Sequence, residues 1–156
     1  MSSSDKHIFF DLDRTLWDFD ENSKYALCQI LDHYDLIPLF GSFDRFHRAY
    51  EKQNARLWNA YGKGEIKKEI LRYEGFNATL RQFGRQDVDL AKDMGSMYVE
   101  VSPRQTRLFP MAKEVLLELR QMGYRLHIIT NGFKEVQFIK LDNCGLRDFF
   151  EVIVCS

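Results

Sequence analysis

Asp11 and Asp13 stand one residue apart, directly after the apolar run His7-Ile8-Phe9-Phe10. Two carboxylates delivered that closely repel each other unless a cation sits between them, and oxygen ligands of this kind suit Mg²⁺. A second group, Thr130-Asn131-Gly132, closes another apolar run, "RLHIIT". There a hydroxyl stands beside backbone amides that open a helix, and such amides form an anion site. In open parallel sheets, ligands bind beyond the carboxyl ends of the strands. If the two runs are neighbouring strands, two acids, a hard cation and an anion pocket meet at one rim, and that combination fits phosphate chemistry. Each group also has a plainer reading: the acids as a turn capping the next helix, and Thr130-Asn131 as a strand-to-helix N-cap.

The elements that must position these groups follow from apolar patterning. Ile8 to Leu12, Arg125 to Thr130 and Glu151 to Cys155 are near-continuous apolar runs, the signature of parallel strands buried on both faces. A helix opens at Pro110, with Ala112, Val115, Leu116 and Leu119 as its inward stripe and Gly123 as its stop. A second, in "FKEVQFIKLDNCG", turns Val136, Ile139 and Leu141 inward and ends at Gly145. Helix and strand alternate in this way from about residue 104, which makes a parallel α/β sheet with right-handed crossovers the natural assembly.

Residues 18–102 differ in character. They hold no convincing strand and read as four helices, 21–35, 43–61, 66–83 and 87–101, with Asp20 and Ser42 as N-caps. An all-helical stretch of that length after the first strand is a domain-level insertion. The expected organisation is therefore an α/β core from residues 1–17 and 103–156, with residues 18–102 forming a helical lid. Phe46, Tyr50 and Trp58 read as the core of that lid, and Trp17 and Asp18 as packing at its junction.

Composition narrows the class. A formal net charge of −1 over 156 residues asks for neither nucleic acid nor an anionic membrane. Cys28, Cys144 and Cys155 have no metal-like spacing and read as reduced thiols; the four histidines show no ligand spacing, and His7 and His127 read as packed or hydrogen-bonded. "MSSSDK" lacks the apolar segment of a signal peptide, and no apolar run reaches the ~20 residues of a membrane helix. The expectation is a soluble, cytoplasmic protein.

"DLDRTL" after a hydrophobic strand, with "IITNG" at a later strand end, resembles the haloacid dehalogenase-like superfamily of phosphohydrolases. The first segment matches its D-x-D-x-T motif and the second its hydrophobic run ending in Thr or Ser. The helical insertion resembles the C1-type cap, and "LFPMAKEVLLELRQMGYRLHIITNGF" is similar to the pyrimidine 5′-nucleotidase-like branch. The resemblance implies a Rossmann-like α/β core and a phosphomonoesterase acting on nucleoside 5′-monophosphates. It implies Asp11 as nucleophile, forming an aspartyl-phosphate, and Asp13 as general acid and then base. Thr130, with the amides of Asn131 and Gly132, would hold a phosphoryl oxygen, and Mg²⁺ would sit on the Asp11 carboxylate and the Asp13 carbonyl. "YGKGEI" (61–66) lies where such caps present a substrate loop. A sugar-phosphate phosphomutase, or a non-catalytic domain binding phosphate or protein, is the alternative.

The same resemblance calls for a lysine after the third strand and a pair of acids after a fourth, and neither follows Cys155 in this chain. Lys134 and Lys140 read as solvated charges on the helix after "IITNG". The expectation is an N-terminal fragment of a longer phosphatase, impaired by itself. In a family strand order of 5-4-1-2-3 its first strand would form an open apolar edge inviting self-association.

Overall fold

A computed structural model describes residues 6–156; most of the "MSSSDK" stretch lies outside the described residues. The chain divides into two compact units, one made of residues up to Ser23 together with Pro103–Ser156, the other of Lys24–Ser102.

The first unit is built on a parallel three-stranded sheet of order β1-β2-β3: β1 (Lys6–Phe10), β2 (Tyr124–Thr130) and β3 (Val152–Cys155). Phe10 pairs with Ile128, and Thr130 with Cys155. Helix α6 (Ala112–Gln121) precedes β2 and α7 (Lys134–Asn143) links β2 to β3. With the strands in sequence order, right-handed crossovers place successive connections on the same side of the sheet. The core on that side gathers Leu12, Leu16, Trp17, Leu116, Leu126, Ile128, Leu141, Leu146 and Phe150.

That one-sided packing corrects the expectation of strands buried on both faces. Phe9, Ile129, Val152 and Val154 share the opposite face and are about half exposed, whereas His127 on that face is buried, so burial alternates along β3 and the end of β1 but not through the middle of β2. On this face His7 and His127 stack, with Nδ1 of His7 2.8 Å from Nε2 of His127. The hydrogen-bonded reading of this pair therefore holds. Val115, read as inward, is exposed, because α6 turns only Ala112 and Leu116 fully into the core.

The second unit is all-helical. Helix α1 (Phe19–His33) begins in the first unit and runs into this one, followed by α2 (Ile37–Phe40), α3 (Phe43–Gly62), α4 (Lys68–Gln82) and α5 (Val88–Val101). The short α2, with Pro38 near its start, was hidden in "IPLF". The Ser42 hydroxyl accepts from the Arg45 N–H, and Asp87 from the Leu90 N–H, so both are side-chain N-caps. Phe40, Phe46, Tyr50 and Phe76 form an aromatic core. Trp58 is not part of it; it is 40% exposed and meets Tyr61 edge-on. Helices α4 and α5 cross at Gly95, where a Cβ would stand 2.4 Å from the Arg72 carbonyl oxygen.

Among the described residues no helix is long and apolar enough to cross a membrane. Cys28, Cys144 and Cys155 are free thiols, each with its pKa raised chiefly by burial.

Candidate active site

Beyond β1 the chain folds into a tight loop hung on one carbonyl. The N–H groups of Thr15, Leu16 and Trp17 all point at the Leu12 oxygen, at 3.3, 3.0 and 2.9 Å. Leu12 and Trp17 are fully buried, which pins both ends of the loop and leaves the intervening polar residues at the sheet rim. The Trp17 indole donates to the Gln105 carbonyl at 3.0 Å, as its packing role requires. Arg14 takes a left-handed backbone (φ 61°), and its guanidinium lies over Phe19 and pairs with Asp20 at 2.9 Å.

Asp20 is thus engaged by Arg14 and is not the cap of α1. Asp18 caps it instead, accepting from the Glu21 N–H at 3.2 Å and pairing with Arg107. Asn22 and the Arg107 backbone exchange two hydrogen bonds, fastening the start of α1 to residues 105–108.

Asp11 lies exposed at the end of β1, its Oδ1 accepting from the Leu12 N–H at 2.7 Å. Asp13 is partly buried. Its Oδ1 accepts from Lys140 Nζ at 2.7 Å and its Oδ2 from Gln137 Nε2 at 3.1 Å. Gln137 Nε2 also donates to Thr130 Oγ1 at 2.9 Å. One amide therefore ties the acid after β1 to the hydroxyl at the end of β2. Asn131 is exposed and accepts from the Ser156 hydroxyl at 2.7 Å. Gly132 lies in the turn into α7, whose first N–H groups have no carbonyl within the helix to bond. Asp13, Thr130 and Gly132 therefore surround one side chain, Gln137. Asp11 stands close enough to Lys140 for its charge to act on that lysine.

The sequence offers no reading of Gln137, and it reads Lys140 as a solvated charge. The structure overturns that reading: the Lys140 side chain is 5% exposed. Its ammonium lies 4.2 Å from the centre of the Trp17 ring. Burial pushes its pKa down, against the opposing pull of the Asp13 and Asp11 carboxylates. The inward face of α7 is Gln137, Lys140, Leu141 and Cys144, whereas Ile139 is exposed and Val136 only partly covered. The signal was present: Leu141 and Cys144 continue the i, i+3, i+4, i+7 stripe that starts at Gln137. Lys134 is on the exposed side, as expected.

The donors present suit a hard cation. The bridge between Asp13 and Trp17 uses the backbone atoms of Leu12 and Arg14 on either side, leaving the Asp13 carbonyl outside it. That carbonyl and the Asp11 carboxylate are oxygen ligands of the kind Mg²⁺ takes, and two protein ligands with several waters is a usual Mg²⁺ shell. Among the described residues no cluster of three or more His, Cys, Asp or Glu side chains is placed to hold a metal.

A family model for haloacid dehalogenase-like hydrolases matches residues 6–156. The chain is 30% identical over 149 residues to the pyrimidine 5′-nucleotidase YjjG of Escherichia coli, covering 96% of this chain and 61% of that protein. It is 27% identical to the pyrimidine 5′-nucleotidase PynA of Streptococcus pneumoniae, again covering 61% of the relative. Its fold superposes on the magnesium-bound structure of the putative hydrolase YfnB of Bacillus subtilis with a TM-score of 0.83 at 26% identity, over 97% of this chain and 64% of the other. The chain thus spans about three fifths of the length of the proteins it matches.

Proposed function

Because this chain belongs to the haloacid dehalogenase-like hydrolase family, we propose that it carries the nucleophile-bearing part of a Mg²⁺-dependent phosphomonoesterase acting on nucleoside 5′-monophosphates. The observation that carries the reading is the Gln137 amide, which joins Asp13 to Thr130 and so gathers an acid and a hydroxyl from two strand ends. The similarity to two pyrimidine 5′-nucleotidases supports the choice of substrate.

Asp11, at the strand end, attacks phosphorus through its carboxylate, and the P–O bond to the leaving alkoxide breaks as an aspartyl-phosphate forms. Asp13 delivers a proton to that alkoxide, then removes one from the water that hydrolyses the aspartyl-phosphate. The Thr130 oxygen accepts from Gln137, so its own hydroxyl proton is available to a phosphoryl oxygen, with the amides at the start of α7 beside it. The Asp11 carboxylate and the Asp13 carbonyl would hold Mg²⁺, which would supply charge to offset that of the phosphoryl group and of the two acids. The helical unit, Lys24–Ser102, serves as the cap, with 61–66 as its substrate loop, in a cytoplasmic enzyme.

The test is a screen of the intact protein for release of inorganic phosphate from pyrimidine and purine 5′-monophosphates and from sugar phosphates. Turnover should require Mg²⁺, vanish with a chelator and return on adding the metal. Isomerised phosphoester without free phosphate would instead identify a mutase, and ligand binding without turnover a non-catalytic domain.

A further inference from the structure

We infer that Gln137 and Lys140 are positioning residues that fix the Asp13 carboxylate in the one orientation from which it serves both the leaving group and the attacking water. The inference rests on the phosphomonoesterase reading and adds to it a pair of side chains from the helix after β2.

Each Asp13 oxygen receives one donor: Oδ1 the Lys140 ammonium at 2.7 Å, Oδ2 the Gln137 amide at 3.1 Å. Two donors from successive turns of one helix determine both the rotamer and the plane of the carboxylate. Each oxygen retains further lone-pair capacity for proton exchange with substrate. The orientation of the amide follows from the same network: reversing Gln137 would set its carbonyl against the Asp13 carboxylate. In the orientation present, both amide hydrogens are used, one on Asp13 and one on Thr130, and the buried Gln137 Oε1 is left without a partner among the described residues. A buried amide that leaves one acceptor unsatisfied in order to serve Asp13 and Thr130 together is difficult to account for by packing alone.

The surroundings are shaped to this arrangement. A Cβ at residue 132 would stand 2.6 Å from Gln137 Nε2, so Gly132 makes room for the amide. Lys140 is seated on the Trp17 ring, and Trp17 is held by Gln105. The charge of the ammonium also acts on both nearby acids, Asp13 and Asp11, and relieves their mutual repulsion.

The experiment compares the intact protein with its Gln137→Leu, Lys140→Met and Lys140→Arg variants on two substrates. One is a nucleoside 5′-monophosphate, whose alkoxide needs a proton to leave. The other is p-nitrophenyl phosphate, whose phenolate leaves without one. The readout is the ratio of the two kcat/KM values, from which the concentration of folded, active protein cancels. In Gln137→Leu and Lys140→Met, kcat/KM for the nucleotide should fall about 100-fold further than for the aryl phosphate, the scale of general acid catalysis. KM should move little, and Lys140→Arg should restore most of the ratio. An unchanged ratio in both variants, whatever the overall loss, would overturn the assignment while leaving the phosphatase reading standing. No turnover of either substrate by the unsubstituted protein would overturn both.

Discussion

The Lys140 ammonium lies 2.7 Å from Asp13 Oδ1, joining residues 127 positions apart in the chain. The contact requires α7 to turn a lysine inward beside Leu141, and it converts an ordinary helix-face charge into part of the rim that carries Asp11, Asp13 and Thr130. A buried ion pair of this kind contributes little net stability, since desolvation offsets most of the attraction, but removing one partner strands the other charge.

The two aspartates should separate by severity. Asp11→Asn should reduce phosphate release to background, since the proposed mechanism forms its aspartyl-phosphate on that carboxylate. Asp13→Asn should leave formation of the fold intact and lower turnover by about 10²–10⁴-fold, the usual contribution of a positioned acid/base. Steady-state kinetics alongside circular dichroism of each variant measures both.

Gly132→Ala should reproduce the loss of Gln137 without changing any functional side chain. The new methyl would meet Gln137 Nε2 at 2.6 Å and Cδ at 2.8 Å, and the amide must leave Asp13 and Thr130 to make room. A kcat well below that of the unsubstituted protein, at nearly unchanged melting temperature, is the expected result. Equal activity would show that the amide is not needed where it stands.

Two glycines of the helical unit should respond to alanine with opposite signs. At Gly95 the added methyl meets the Arg72 carbonyl at 2.4 Å and the Tyr73 Cα at 3.2 Å. Backbone cannot give way there as a side chain does, and the overpacking should cost about 1–3 kcal/mol. At Gly62, in the last turn of α3, nothing lies within 4 Å. Alanine there should stabilise by about 0.4–1 kcal/mol by restricting the unfolded chain. Urea denaturation of the two variants tests the pair.

Asp87 gives the acid limb of stability a defined component. The Leu90 N–H and the Arg85 guanidinium hold its carboxyl below the ordinary value of 3.8. A lowered folded-state pKa means that the unfolded chain binds the proton more readily. The contribution is therefore complete above about pH 4 and is lost as pH falls through the folded value. Asp87→Asn keeps a capping oxygen but does not titrate. The difference in melting temperature between the two proteins should shrink on acidification, and a constant difference would refute the role of the charge.

Much of the fold was legible in local patterning because it is written in local terms. The three strand runs, the acids after the first of them and the Ser42 cap depend on residues close in sequence, and all are where the patterning placed them within a residue or two. Asp20 shows how narrow that margin is: Asp18, two residues earlier, has the same chemistry and caps the helix, while Asp20 is drawn to Arg14.

What the sequence by itself determined is the chemistry on offer: a pair of carboxylates at one strand end, a hydroxyl and amides at another, and a helical insertion between them. The tertiary structure alone decided which side chains serve that chemistry. Burial depends on what lies opposite, and nothing in "KEVQFIKLDN" states that its inward face meets Asp13 and the Trp17 ring. Apolar counting favoured Val136 and Ile139. The packing instead buried Gln137 and Lys140, because a carboxylate, a hydroxyl and an aromatic face were waiting there to satisfy their donors.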